Sequence, residues 1–229
     1  MNTKHKKPTL TKKQRHKLRV QQVRRQKIFL TCLFLLIVGC ILLRFSKFSG
    51  RQKETHQINA ACEAYRDEVS SEAAQYDMSD YVDLILAVMM QESSGQGTDP
   101  MQSSEGAYNT RYPQQPNGIT DPSYSISCGI QELKYALEKA VCTGPTDLSK
   151  IRLALQAYNF GADSYFAYLE ANGQPVWPAQ SAQAFAQMAS GGTQRDEDDP
   201  LHDPAGPWDY GDQYYPDHVL RYYHLDNNS

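Results

Sequence analysis

From residue 79 the chain reads Ser-Asp-Tyr-Val-Asp-Leu-Ile-Leu-Ala-Val-Met-Met-Gln-Glu, an apolar run that only Asp83 interrupts. Apolar side chains in nearly every direction predict a helix over 80–92 that is buried on most faces rather than along one stripe. Ser79 or Asp80 can cap its start, and Gly95 or Gly97 supplies a left-handed stop. Further helices are expected over 58–76, 124–141, 148–160 and 165–171. Asp121-Pro122 places a cap and a first-turn proline before the second of these. Asp147 caps the third, which ends at Gly161, and Asp163 opens the fourth, which ends at Gly173. Weaker signals mark 180–189 and 217–225. The segments 93–120 and 191–212, rich in Gly, Pro, Ser and Asp, read as loops. With no internal repeat and no run of alternating strands, the fold class is all-α, with at most a small hairpin.

The first 57 residues follow another pattern. Sixteen uncharged residues, 28–43, come after a tail that carries eleven Lys and Arg and no acid. At ~1.5 Å per residue such a helix reaches roughly 24 Å, against a hydrocarbon core of ~30 Å. Lys27 and Arg44 can snorkel and Phe45 extends the apolar length, so the segment is expected to span a membrane. The predicted order is a basic cytosolic tail (1–27), a transmembrane helix (28–45), a polar stalk (46–57) and one domain (58–225) on the outer side. A cleaved signal peptide fits less well, because a 27-residue basic region is long and no Ala-x-Ala site follows. Ile37-Val38-Gly39-Cys40 resembles a lipoprotein cleavage box, but it lies deep inside the apolar run. The tail sits beside the span and therefore suits anionic lipid headgroups, not nucleic acid.

Residues 58–229 hold eight Lys and Arg against twenty-five Asp and Glu, a net charge of −17. Cys62, Cys128 and Cys142 are odd in number and give no disulfide framework. No zinc-ligand spacing, phosphate loop or Gly-x-Ser-x-Gly elbow is present, so neither metal nor cofactor is expected.

The chemistry then concentrates on Glu92, in the last turn of the apolar helix. There the helix dipole and the loss of water both disfavour its charge. A carboxyl that keeps its proton near neutral pH is what an acid for glycosidic cleavage requires. Taken alone, such a residue is more often satisfied by a cap or an ion pair. Three further stretches add weight: Asp99-Pro100-Met101-Gln102-Ser103-Ser104-Glu105, Gly118-Ile119-Thr120-Asp121-Pro122, and Ala157-Tyr158-Asn159-Phe160-Gly161. Gln102, with Ser103 beside it, offers hydrogen bonds to sugar hydroxyl or acetamido groups. Asp99 and Glu105 divide evenly between solvated loop carboxylates and activators of water. On spacing alone Tyr158 reads as a core tyrosine, Asn159 as a helix-terminus device and Asp121 as a cap. Tyr108 and Tyr112 share the loop after Glu92 and are sugar-stacking candidates.

In this order the Glu-Ser-x-Gly, Met-Gln and Ala-Tyr-Asn-x-Gly elements resemble those of the lysozyme-like superfamily of goose-type lysozymes and soluble lytic transglycosylases. The Asp-Pro-Met-Gln-Ser-Ser-Glu run and the closing Tyr210-Gly211-Asp212 and His218-Val219-Leu220-Arg221-Tyr222-Tyr223 segments are similar to the muramidase domain of CwlT-type cell wall hydrolases of Gram-positive conjugative elements. The resemblance covers about 58–225. It implies a lysozyme-like helical domain acting on peptidoglycan glycan strands, with Glu92 as catalytic acid. Gln102 and Asn159 would meet the glycan, and Tyr158 would approach Glu92. It also implies an association with conjugation or type IV secretion machinery. CwlT-type proteins usually continue into a D,L-endopeptidase domain, so this sequence is expected to match their muramidase part alone. Hydrolysis is the expected reaction, with Asp99 or Glu105 as second carboxylate. Transglycosylation to 1,6-anhydro ends and a non-catalytic glycan-binding scaffold are the alternatives.

Overall fold

The apolar run that ends at Glu92 forms the helix expected of it. The computed structural model describes residues 56–173, 177, 179–199 and 202–225. The basic tail, the segment expected to span a membrane and most of the expected stalk lie outside the described residues. In chain order the helices are α1 (Ala60–Glu63), α2 (Arg66–Gln75), α3 (Val82–Glu92), α4 (Pro122–Lys139), α5 (Leu148–Phe160), α6 (Ala162–Ala171), α7 (Ala179–Ala189) and α8 (Tyr215–Leu220). Leu84, Ile85, Leu86, Ala87, Val88 and Met89 of α3 are fully buried, so the whole circumference of this helix is core. It packs on α1, α2 and α8, while α5 packs on α4, α6 and α8. Burying an aliphatic side chain contributes about 1.5–3 kcal/mol, so α3 is the main anchor for whatever stands at its end.

Several expected boundaries move, each for a local reason. The helix expected over 58–76 is two helices. The Tyr65 N–H bonds the Cys62 carbonyl, three residues back, and the ladder restarts at Arg66. Short α1 is held by tertiary contacts instead: Asn59 caps it by accepting from the Cys62 N–H, and its Nδ2 donates to the Ser94 carbonyl. Gly95 (φ +73°) lies against the same turn, where a Cβ would stand 2.8 Å from the Cys62 nitrogen. Neither Ser79 nor Asp80 caps α3, which is entered through a 3₁₀ turn over Ser79–Tyr81. Its left-handed stop begins at Ser94 (φ 55°) and continues through Gly95.

The expected caps Asp121 and Asp147 do accept from the first-turn amides of α4 and α5. Asp163 does not open α6. That helix starts directly after Gly161, and Asp163 accepts instead from Tyr135 Oη (2.5 Å) and Lys139 Nζ (2.9 Å) of α4. Among the described residues there is no strand, only an isolated antiparallel bridge between Gln194 and Trp208. Cys62 and Cys128 are buried free thiols, and Cys142 is free and partly buried.

Candidate active site

Glu92 ends α3 and is only partly exposed. Its Oε1 accepts a short hydrogen bond from the hydroxyl of Tyr215, at the start of α8. Burial pushes its carboxyl up to about 7. The Tyr215 bond works against that shift, and the negative charges of Asp212, Asp99 and Glu132 reinforce it. The group therefore keeps a proton well above the range of an ordinary carboxyl.

Three loops and helix ends build the surroundings. The 99–104 loop is organised by Asp99, which is 1% exposed. One carboxylate oxygen accepts from the Ser103 N–H (3.1 Å) and Ser125 Oγ (2.6 Å). The other accepts from the Ser104 N–H (3.2 Å) and the Ser104 hydroxyl. With four donors on two buried oxygens, Asp99 has no face left for a water molecule, and the expected water-activating role is replaced by loop building. Ser103 is corrected in the same way: it is buried, and its hydroxyl donates to the Ser125 carbonyl. The loop presses Met101 against Gly129 of α4, where a Cβ would stand 2.6 Å from Met101 Cβ. Gln102, in a left-handed conformation (φ 46°), is thereby turned outward. Its amide nitrogen donates to the Asp99 carbonyl and Asn117 Oδ1, each at 3.0 Å, which leaves its oxygen aimed at donors from outside.

On the facing side, the end of α5 carries Tyr158 and Asn159. Tyr158 donates its hydroxyl to the Met101 carbonyl (2.9 Å), tying α5 to the Met-Gln loop. Its ring stacks on that of Tyr215 (centroids 6.3 Å apart, 22° between planes). Tyr158 is close enough to feel the Glu92 charge, as expected, but the hydroxyl that bonds Glu92 is that of Tyr215. Asn159 Oδ1 accepts from the Asp212 N–H (2.7 Å). Gly211 (φ +48°) makes this fit possible, since a Cβ there would meet Asn159 Oδ1 and the Phe160 ring at 2.7 Å. Gln156, fully buried, donates to the Asp212 carbonyl (2.9 Å). Asp212 itself accepts from the Tyr214 N–H (2.8 Å) and from His218 Nδ1 (2.5 Å). That bond raises His218 above the usual histidine range.

A cleft of about 550 Å³ opens beside these groups, lined among others by Gln102, Glu105, Tyr108, Glu132, Tyr158 and Asn159. Glu105 is an exposed rim residue. Tyr112 is absent from the lining and packs on Tyr124 (centroids 5.5 Å apart), so its expected place in the cleft is corrected. Glu132 was not singled out in the sequence. On α4 it looked like one more polar position of an amphipathic helix, yet its carboxyl is largely buried and pushed up to about 7 by that burial. Asp212 and His218 were quoted only within closing motifs, and Tyr215, between them, was not singled out at all. No local pattern says that Tyr215 returns to Glu92 across more than a hundred residues, or that Asp212 adds its charge there. Among the described residues no group of His, Cys, Asp and Glu is arranged to hold a metal ion.

Comparison with known proteins agrees with this geometry. The chain is 34% identical over 169 residues to the bifunctional muramidase/DL-endopeptidase CwlT of Bacillus subtilis, a match covering 74% of this chain and 44% of that protein. It is 41% identical over 102 residues to the uncharacterized membrane protein YocA of B. subtilis, covering 43% of this chain and 40% of that one. A Staphylococcus aureus crystal structure, described as similar to a lipoprotein of the NLP/P60 family, superposes with a TM-score of 0.63 at 26% identity, covering 76% of this chain and 56% of that one. The chain thus spans about half the length of the relatives it matches. Residues 60–223 match the lysozyme-like family model, and with the apolar helix, its terminal glutamate and the flanking cleft in place, the chain belongs to the lysozyme-like family.

Proposed function

We propose that residues 58–225 form an N-acetylmuramidase domain that cleaves the MurNAc–GlcNAc bond of peptidoglycan, with Glu92 as the acid. The observation that carries this reading is a carboxyl pushed up to about 7 by burial, oriented by Tyr215 and next to Tyr158, which lines the cleft. Protonated Glu92 donates to the bridging oxygen, the C–O bond breaks, and positive charge develops on the departing sugar ring. Gln102, Tyr108, Tyr158 and Asn159 line the cleft in which the glycan lies. The name of the CwlT relative, a muramidase/DL-endopeptidase, supports the same bond class. Glu92→Gln keeps the shape and removes the proton donor. The variant is expected to lose clearing of purified cell walls by at least about 100-fold. Unchanged clearing would leave a non-catalytic glycan-binding scaffold as the function.

A second reading, lytic transglycosylase, is favoured by the full occupancy of Asp99. That reaction needs no base for water: one glutamate protonates the leaving group and then takes the proton of the muramyl 6-hydroxyl. Mass spectrometry of digested glycan strands separates the two, since hydrolysis leaves reducing ends and transglycosylation leaves 1,6-anhydro ends.

The placement proposed for the domain is outside the cell membrane, anchored by a single pass over 28–45 with the basic tail in the cytosol. The support is the charge-free run flanked by cations. Tethered cleavage would open the wall locally, which suits a conjugation or secretion apparatus. Protease applied to intact protoplasts should remove the domain and spare the tail.

A further inference from the structure

Three carboxyls contribute negative charge at Glu92: Asp212, Asp99 and Glu132. Asp99 is saturated by four donors. Asp212 is paired with His218 and the Tyr214 amide. Glu132 differs from both. Its Oε1 is buried and takes no hydrogen bond from the protein, although the carboxyl lines the cleft. The 105–108 loop passes directly over it: a Cβ at Gly106 would stand 1.4 Å from Glu132 Oε1, so any larger residue there would push the carboxyl aside. The Ala107 and Tyr108 amides turn toward the carboxyl and favour its ionised form, against burial and the charge of Asp99. A buried acceptor without a partner costs about 1–3 kcal/mol, and a chain that keeps one in a cleft leaves it for something that enters.

We propose that Glu132 is the second catalytic carboxyl of this cleft, the base that takes a proton from the attacking water. The assignment rests on Glu92 being the acid. As the Glu92 proton passes to the glycosidic oxygen and the C1–O bond breaks, a water oxygen bonds to C1 of the muramyl residue from the opposite face. The water's proton goes to the Glu132 carboxylate. Both groups then return to their starting states by exchange with solvent. The product is a reducing muramyl end whose initial anomer is α, inverted from the β linkage, and the Glu92–Glu132 pair acts without Asp99 or Glu105.

The test uses the full chain and purified peptidoglycan. Glu132→Gln is expected to cut hydrolysis by about 100-fold or more while the melting transition is retained. Added azide, which needs no base, should restore turnover and give the α-glycosyl azide. Wild-type rates in Glu132→Gln, or a folded variant that azide does not rescue, would overturn the assignment. Should the variant fail to fold, the wild-type product decides: NMR of the first-formed anomer must show α. A β anomer or 1,6-anhydro ends would remove Glu132 as base and leave Glu92 as acid. Full activity of Glu92→Gln would instead remove the acid, and the reading on which Glu132 depends would go with it.

Discussion

At the scale of single residues, one proton organises the site. The Glu92 carboxyl is raised from an ordinary 4.5 to about 7, so the folded state binds that proton more tightly than the unfolded chain does. Its contribution to stability is full below about pH 4.5 and is lost as pH rises through about 7. The most it can cost above that range is about 3 kcal/mol. Glu92→Gln should therefore raise the melting temperature at pH 8 and leave it nearly unchanged at pH 4. Equal shifts at both values would exclude desolvation as the cause. Because Glu132, the base proposed above, is also pushed up to about 7, wall cleavage by the natural chain should peak near that value, falling above it as Glu92 loses its proton and below it as Glu132 gains one. Of the residues singled out beforehand, Glu92 was legible because one carboxylate ended an apolar run. Asp99 was left open between two roles because a carboxylate in a Gly- and Ser-rich loop looks the same in sequence whether it faces water or four donors.

At the scale of elements, what matters is how helix ends and loops are pinned around α3. Asp121 and Asp147 were readable as caps because capping is local, a side chain meeting amides two or three residues on. The break between α1 and α2 and the start of α8 were not readable, since contacts with Ser94, Gly95 and Asn159 set them from far along the chain. Gly129 shows how an element sets the chemistry at a distance. Its missing side chain lets Met101 seat on α4, which turns Gln102 toward the cleft and offers the Met101 carbonyl to Tyr158. Gly129→Ala would force Cβ to within 2.6 Å of Met101 Cβ. We expect a stability loss of about 1–3 kcal/mol in denaturant melts. A larger proportional loss of wall cleavage should accompany it, because the loop shifts as a unit. A variant that loses stability but keeps its rate per folded molecule would show that the loop does not position the substrate.

At the scale of the whole molecule, the charge pattern separates the two parts of the chain. The net −17 over 58–229 opposes a basic tail of eleven cations at 1–27. A domain so acidic is repelled by walls carrying anionic polymers, which would limit adsorption far from the membrane anchor proposed above. Screening should relieve this repulsion. Activity on walls that retain those polymers is expected to rise severalfold between about 10 mM and 150 mM salt, as the Debye length falls from ~30 to ~8 Å. Walls stripped of the polymers should show no such rise, and a flat response on both would dismiss the idea. By itself the sequence determined what short-range physics controls: a helical domain, the buried run of α3, the acid at its end, two caps and the division of charge. Only the tertiary structure decided which side chains complete the site. Tyr215, Asp212 and Glu132 reach Glu92 through packing between segments far apart in the chain. Whether a carboxylate is saturated, paired or left open depends on those neighbours rather than on its own place in the sequence.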